Sequence, residues 1–357
     1  MEKFSYSKLN TYETCGFKYK LIYKEKHFVD DASIATDFGT LVHHMEEVMA
    51  KKLSNGEPLD YSALITEFYN INTEFEEWKQ DDGQSILGVN FLIKKYPEEF
   101  YEPDKNGLTY ADKVERYVGR GIHRLAEFLQ RNPDLQIVGI EQPFKIEYAD
   151  GVIFHGFIDR VFFNPTTGEY LVEDIKTYSA PLEHKDLTTP LQFVFYVNAL
   201  KEIYPLVEED LVRCFYELPL CDIKQEAGTK GFLKRGNQKI EKLLSSIAAG
   251  VFDPHPTPLC HWCVFSATKP KQPEEAKNLC PYFSHWTKDN KDFSVEYEWM
   301  GEENHEAILE AFKNKETRKV SEDQYKKDQT ISKLKLQDKI VFNSKDGERR
   351  FILRFDK

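Results

Sequence analysis

Residues 136–178 constrain the fold more than any other stretch. They hold three β-rich runs in succession, LQIVGIEQPFKIEY, GVIFHGFIDRVFFN and EYLVEDIKTY. Each is dense in Val, Ile, Phe and Tyr, the side chains that suit a pleated, half-buried surface. The breaks between them are short and turn-like, at Ala149-Asp150-Gly151 and at Asn164-Pro165-Thr166-Thr167-Gly168. Strands joined by such short turns pair antiparallel. The segment therefore predicts a three-stranded antiparallel meander. A helix is expected at 190–204, capped by Thr188 or Thr189 with Pro190 at its first position. A strand at 210–219 and a helix at 231–249 follow. A strand that returns after a helix beside a meander makes a mixed α/β sheet.

The flanks have a different texture. Helical spacing is expected over 5–25 (cap at Ser5 or Ser7), 33–53 (starting near Thr36 or Asp37), 61–79, 85–101 and 111–131. Residues 253–286 are rich in proline, carry Cys260, Cys263 and Cys280, and show little periodicity, so this loop needs something to tie it down. Residues 287–357 are charged, with a helical stretch near 303–315 and a hairpin around Lys345-Asp346-Gly347. The expected organisation is a helical part at 1–131, an α/β core at 132–252, a cysteine loop at 253–286 and an accessory region at 287–357.

Composition narrows the function classes. A net charge of -12 is not that of a protein that holds nucleic acid by bulk electrostatics. An enzyme whose acidic site is neutralised by divalent metal is compatible with it, given a local basic path. No run of eighteen apolar residues predicts a membrane span, and the start of the chain lacks an apolar signal-type run. The expectation is a cytoplasmic chain. Its 6 cysteines then read as thiols or metal ligands rather than a disulfide framework. No Gly-x-x-x-x-Gly-Lys-Ser/Thr loop is present, so any ATP-driven step belongs to a partner.

The chemistry concentrates in the meander. Asp159 lies on the middle strand, and Asp174 and Lys176 lie on the next. Residues i and i+2 of a strand share a face, so Asp174 and Lys176 point the same way, with Asp159 able to face them across the pair. Two carboxylates and an ammonium on one patch suit phosphodiester hydrolysis. The carboxylates take Mg²⁺ or Mn²⁺, hard ions that prefer oxygen, and the metal lowers the pKa of a bound water. The lysine holds or activates that water. An Asp-x-Lys triplet alone is also what a strand with surface charges looks like.

The surroundings resemble the RecB-type and AddB-type branch of the PD-(D/E)xK nuclease superfamily, in the family's own order over residues 4–285. The Gly-x-x-Asp element is Gly156-Phe157-Ile158-Asp159, and the (D/E)xK element is Asp174-Ile175-Lys176, followed by Thr177. The Gln-x-x-x-Tyr element is Gln192 to Tyr196, and the Gly-x-x-x-His element is Gly39 to His43. The Ser-rich start leading to Cys and an aromatic-basic run is SYSKLNTYETCGFKYK. The resemblance implies a restriction-endonuclease-like mixed sheet flanked by helices, with a mostly helical N-terminal region and a cysteine-ligated C-terminal clasp. It implies a metal held by His43, Asp159, Asp174 and the backbone carbonyl of Ile175, with Lys176, Gln192 and Tyr196 serving catalysis. Glu141, on the first strand, is a further acidic candidate or a solvent-facing glutamate. His44, beside His43, is the competing histidine.

In cluster-bearing relatives one early cysteine joins three late ones around a [4Fe–4S] cluster. That pattern implies Cys15, Cys260, Cys263 and Cys280 here, with Zn²⁺ as the alternative ion. Cys214 and Cys221 read as unrelated buried thiols. The expected activity is a DNA nuclease, an exonuclease first, in repair, recombination or phage DNA processing. Its substrate would be single-stranded or end-bearing DNA, with a helicase or recombination partner. The other reading is an inactive DNA-binding scaffold on the same fold. Basic side chains at Lys18, Lys20, Lys24 and Lys26, and at Lys230, Lys234, Arg235, Lys239 and Lys242, read as solvated helix faces or as a DNA path, with Tyr19 or Phe232 as stacking rings.

Overall fold

The computed structural model describes residues 2–29, 32–70, 78–79, 85–86, 88–204, 209–255, 260, 262–266, 272–277, 279–280, 317–321, 336–343 and 349–355. The chain divides into two compact units. The first comprises Met1–Tyr6 and Ala32–Ile240, and the second Ser7–Asp31 and Glu241–Lys357.

The first unit is built on a six-stranded mixed sheet. The meander forms as expected, as β4 (Gln136–Ala149), β5 (Val152–Phe163) and β6 (Tyr170–Ile175). Its two turns close through Gly151 at φ 74° and Gly168 at φ 76°, a left-handed backbone that glycine adopts without a Cβ penalty. The order is β1-β5-β6-β7-β8, with β4 on the other edge of β5. β7 (Val212–Leu218) runs parallel to β6, and β8 (Ile223–Ala227) pairs antiparallel to β7. β1 (Glu2–Phe4) pairs with β5 over Val152 to Phe154, whereas β6 pairs with β5 only over Arg160 to Phe163. β1 and β6 thus take opposite ends of one edge of β5. Asp159 lies between them, one residue before the stretch of β5 that pairs with β6.

Two long helices cover this sheet, α3 (Ile34–Ser54) and α6 (Tyr110–Arg131). α6 opens on a capping box between Thr109 and Asp112. It buries Val114, Tyr117, Val118, Gly121 and Leu125, a stripe at helical spacing. α3 answers with Phe38, Leu41, Val42, Met45 and Met49 in the same core. A Cβ on Gly121 would come within 2.6 Å of the Met49 methyl and 2.8 Å of Glu46 Oε1, so these side-chain ends of α3 lie directly on the glycine. α8 (Leu191–Ile203) and the start of α9 (Phe232–Ala248) pack together: a Cβ on Gly236 would lie 2.3 Å from Val194. Asn198 donates to Asn237 at 2.9 Å.

Several expectations are corrected. The 5–25 stretch is α1 (Tyr6–Thr14), α2 (Gly16–Tyr19) and a π-turn (Lys20–Lys24), because Cys15 is extended and caps α2. α3 begins at Ile34, since the Ser33 hydroxyl accepts from the Thr36 N–H. The 61–79 helix is α4 (Tyr61–Asn70), and Trp78–Lys79 is a short strand, β2. The 85–101 helix reduces to α5 (Val89–Lys95), preceded by β3 (Ser85–Ile86). The cap of α8 is Pro190 itself, and a short helix, α7 (His184–Thr188), precedes it. β1 and β8 have no counterpart among the expected elements.

In the second unit, residues 7–29 are tied to 251–253. Tyr12 donates to the Val251 carbonyl at 2.6 Å, and Phe17 N–H donates to Asp253 at 3.2 Å. A Cβ on Gly16 would lie 2.9 Å from that same carbonyl oxygen. Leu21, Val264, Phe265 and Ala276 form a small core on which Phe17, Cys263 and Cys280 pack. β9 (Thr317–Ser321), β10 (Leu336–Asn343) and β11 (Arg349–Phe355) form an antiparallel sheet in the order β10-β11-β9. The expected helix near 303–315 and the turn at 345–347 lie outside the described residues. No described helix is long and apolar enough to cross a membrane.

Candidate active site

β5, β6, α3 and α8 bring the candidate residues together. Arg160 is paired with Glu173, so Asp159 and Asp174 are neighbours one step beyond the last β5–β6 pair. Here the strands part, and the Asp159 carboxylate takes over the lost backbone partner by accepting the Ile175 N–H at 2.6 Å. Lys176 N–H still donates to Glu217 on β7, which keeps its backbone on the sheet as its side chain reaches Asp174. The ammonium of Lys176 lies 2.6 Å from Asp174 Oδ2 and donates to Gln192 Oε1 at 2.9 Å.

The i, i+4 pair on α8 completes the grip. Gln192 Nε2 donates to Asp174 Oδ1 and to the Tyr196 hydroxyl. That hydroxyl donates to Asp174 Oδ1 at 3.1 Å. One amide thus ties the acid, the ammonium and the phenol into one arrangement, in which Asp174 Oδ2 faces the Lys176 ammonium.

The histidine ambiguity resolves on geometry. His43 Nδ1 lies 3.5 Å from Asp159 Oδ2 and 3.6 Å from Glu141 Oε1. His44 turns instead to Glu47 at 3.5 Å and to the edge of Phe68. Glu141 is therefore brought to the site and does not simply face solvent. Its backbone sits at φ 42°, a left-handed value that a glutamate rarely adopts and that costs on the order of 1–3 kcal/mol. Among the described residues, His43, Glu141 and Asp159 are the group whose possible ligand atoms all lie within 4.8 Å of one another.

The electrostatics are those of an acidic centre short of cations. Burial pushes the Asp174 carboxyl up to about 6, with the charge of Asp159 adding to it and Lys176 opposing. Burial also raises Asp159, helped by Glu141 and opposed by His43 and the Ile175 N–H. Burial alone would lower His43, but the charges of Asp159, Glu141 and Asp174 outweigh it and raise the imidazole to about 9. Lys176 likewise is raised by its carboxylates against burial. Three carboxylates converge where two cations answer them. The donor set, several carboxylate oxygens and one imidazole, fits a hard divalent ion.

The cysteines separate into two groups. Cys214 is buried in β7 as expected, whereas Cys221 is only half-buried and donates to the Tyr178 carbonyl at 3.1 Å. Cys15, Cys260, Cys263 and Cys280 all belong to the second unit. Burial raises the Cys263 thiol, and the charge of Cys15 adds to it while Lys18 opposes, which puts the two sulfurs in one electrostatic neighbourhood. The Cys15 sulfur accepts from the His255 N–H at 3.4 Å. Among the described residues, no three of these sulfurs form a group within 4.8 Å of one another.

A feature that the sequence reading did not single out lies behind the sheet. Arg160 donates to Glu46 at 2.8 Å and to Glu173 at 3.3 Å, Lys224 bridges Glu173 and Glu217, and Arg124 grips Glu217. Its only signal in the sequence is the charge of Glu173, beside Asp174 and therefore on the opposite face.

A mixed sheet that opens between two strands at a pair of acids, with a lysine two residues on, defines a nuclease core. The family model of the PD-(D/E)XK nuclease superfamily matches residues 3–268. The chain belongs to that superfamily, whose members use divalent metals. No curated protein matches the chain. Among solved structures, it is similar to a "putative exonuclease" from Eubacterium rectale, at 12% identity and a TM-score of 0.35, over 71% of this chain and 84% of that one.

Proposed function

We propose that the protein is a Mg²⁺- or Mn²⁺-dependent DNA nuclease, an exonuclease of the RecB/AddB type acting in repair, recombination or phage DNA processing. The observation that carries it is the convergence of His43, Glu141, Asp159, Asp174 and Lys176 at the point where β5 and β6 part. His43, Asp159, Asp174 and the Ile175 carbonyl would hold the metal, with Glu141 alongside. When bound, the ion supplies a more acidic water and offsets charge on the phosphate. Lys176 keeps its ammonium beside Asp174, placed to orient a water and to offset developing negative charge. Gln192 and Tyr196 hold Asp174 and Lys176 in register, so neither has to reorganise during turnover. His43 bridges the Asp159 and Glu141 carboxylates and keeps them apart.

End-labelled single- and double-stranded DNA incubated with the protein and Mn²⁺ tests this. Shortening from one end is the expected result, and intact DNA under all metal conditions overturns it. The same assay decides against the inactive-scaffold reading, which expects binding without cleavage. A helicase or recombination partner would supply the unwinding that this chain has no motif for.

For the second unit, we infer a [4Fe–4S] cluster on Cys15, Cys260, Cys263 and Cys280, with Zn²⁺ as the alternative. The support is that residues 7–29 and the late cysteines share one compact unit and one small core. Closing so long a loop removes chain entropy from the unfolded state. Protein purified without oxygen is expected to be brown, and Cys15→Ser to bleach it while Cys214→Ser does not. Colourless protein holding one zinc keeps the clasp and rejects iron–sulfur, and protein with neither rejects both.

A further inference from the structure

The two strands that part at the site each carry an exposed ring one step further along. On β5, Phe157 lies two residues before Asp159, and past the end of β6, Tyr178 lies two residues after Lys176. Two residues of extended backbone span about 6 to 7 Å. Residues i and i+2 share a strand face, so Phe157 stands on the face of Asp159, with Ile158 buried between them on the other. Phe157 is 37% exposed and Tyr178 47%. Among the described residues, neither stacks on another ring. Exposed rings also occur in this unit at Tyr61 and Tyr101, so exposure alone carries no meaning. Position beside the acids and the lysine is what sets Phe157 and Tyr178 apart.

Both residues are anchored through their backbone. Phe157 is paired with Pro143 in the β4–β5 ladder. The Tyr178 carbonyl accepts from the Cys221 thiol at 3.1 Å. Its phenol helps to raise Lys176 and also Tyr216, whose ring centre lies 5.9 Å from the Lys176 ammonium. Tyr178 thus sits beside the active-site lysine as Phe157 sits beside the first acid. A phosphate held among Asp159, Asp174 and Lys176 has a nucleotide on each side, and each nucleotide brings a base to the edge of the site. We propose that Phe157 and Tyr178 are stacking platforms for the bases on either side of the scissile phosphate, so that the site takes an unpaired strand. This rests on the nuclease reading above and adds the substrate class and two residues that select it. A base inside a duplex has both faces covered by its neighbours and cannot lie on a ring without leaving the stack. Stacking on a neutral ring also needs no positive charge, which suits a chain of net charge -12 that must hold a polyanion.

The test compares two strands with the same phosphates, a fluorescent oligothymidine and an abasic strand of equal length, each titrated with protein in Ca²⁺. The ratio of the two affinities reads the bases alone, and a partly unfolded preparation lowers both affinities together without moving it. Wild-type protein should prefer oligothymidine. Phe157→Ala and Tyr178→Ala should each reduce that preference by about fivefold to a hundredfold, the range for one base on one ring. Phe157→Tyr and Tyr178→Phe keep the rings and should keep the preference, as should Tyr61→Ala, which removes an exposed ring of α4. With Mn²⁺, wild-type protein should cut a single strand faster than a blunt duplex of the same sequence. A wild type without preference for bases, alanine variants that retain the wild-type ratio, an equal loss in Tyr61→Ala, or faster cutting of the duplex overturns the proposal. If wild-type protein cleaves DNA with Mn²⁺ and the alanine variants still keep the ratio, only the platforms are wrong. If it cleaves neither strand nor duplex, the nuclease reading falls with them.

Discussion

The two faces of the β5–β6 pair hold buried charges one residue apart and treat them in opposite ways. Behind the sheet, Arg160 is 3% exposed and Glu173 1%, and cations and carboxylates alternate through Glu46, Arg160, Glu173, Lys224, Glu217 and Arg124. Nearly every charge there touches its opposite. On the site face, Asp174 is 1% exposed and Asp159 7%, yet with Glu141 they outnumber the cations His43 and Lys176. Burying an unbalanced charge is expensive, so the first arrangement is what a stable fold needs and the second is what it tolerates for another reason. A cation from outside the chain would balance the site face.

The largest expected effect breaks the site face alone. Asp159→Asn retains an oxygen to accept the Ile175 N–H, and Asp174→Asn retains one for Gln192 and Tyr196. Both remove charge from a centre that has too much of one sign. Cleavage should fall about a thousandfold or more in each, as for loss of a group central to catalysis. Thermal unfolding without metal should stay at the wild-type temperature or rise. A clean Asp174→Asn preparation with wild-type turnover would dismiss the site.

The opposite face should respond in the opposite sense. Arg160→Ala leaves Glu46 and Glu173 buried beside each other with one cation fewer, and breaking a buried pair from one side costs about 3–5 kcal/mol. Urea unfolding should show that loss. A cost below about 1 kcal/mol, the range of exposed ion pairs, would erase the contrast between the faces.

Much of the site face was legible because its parts sit at fixed spacings. Asp174 and Lys176 are at i, i+2 on a strand and Gln192 and Tyr196 at i, i+4 on a helix, so one periodicity each places them. The rear face was not legible. Its partners come from α3, β5, β6, β7, β8 and α6, and nothing in the spacing of Glu46, Arg124 and Lys224 says that they meet. β8 was missed for a related reason: Ile-Lys-Gln-Glu-Ala carries little apolar alternation, and its pairing with β7 is what makes it a strand. Glu141 was left open because strand alternation assumes regular backbone, and its positive φ breaks that regularity. The Asp37 carboxylate shows the same limit at the start of α3, where Lys95 at the end of α5 and Tyr96 just after it reach it at 2.8 and 2.9 Å.

The smallest effect is also the one that separates the two histidines. In the metal-free protein His43 is raised to about 9, so at neutral pH it carries a proton that any metal bound there must displace. Affinity for Mn²⁺ should therefore climb with pH up to about 9, by up to about tenfold per unit from this group, and level off above it. Asp174, raised to about 6, adds a second proton to displace only below that pH. The stability of the metal-free protein carries the reverse sign. His43 is raised above its unfolded value of 6.5, so its contribution is complete below pH 6.5 and is lost as pH rises through about 9. Glu217, raised to about 7 mainly by burial and by Glu173, also favours the protonated form when folded, but its share of the decline is over by that pH. Above about pH 7 the decline continues through His43. Calorimetric titration with Mn²⁺ at three pH values should show the rise in wild type and in His44→Ala, whereas His43→Ala should bind roughly tenfold or more weakly and lose most of the slope. Equal slopes in the two variants would return His43 to the ordinary histidines of a helix face and leave the carboxylates to hold the metal without it.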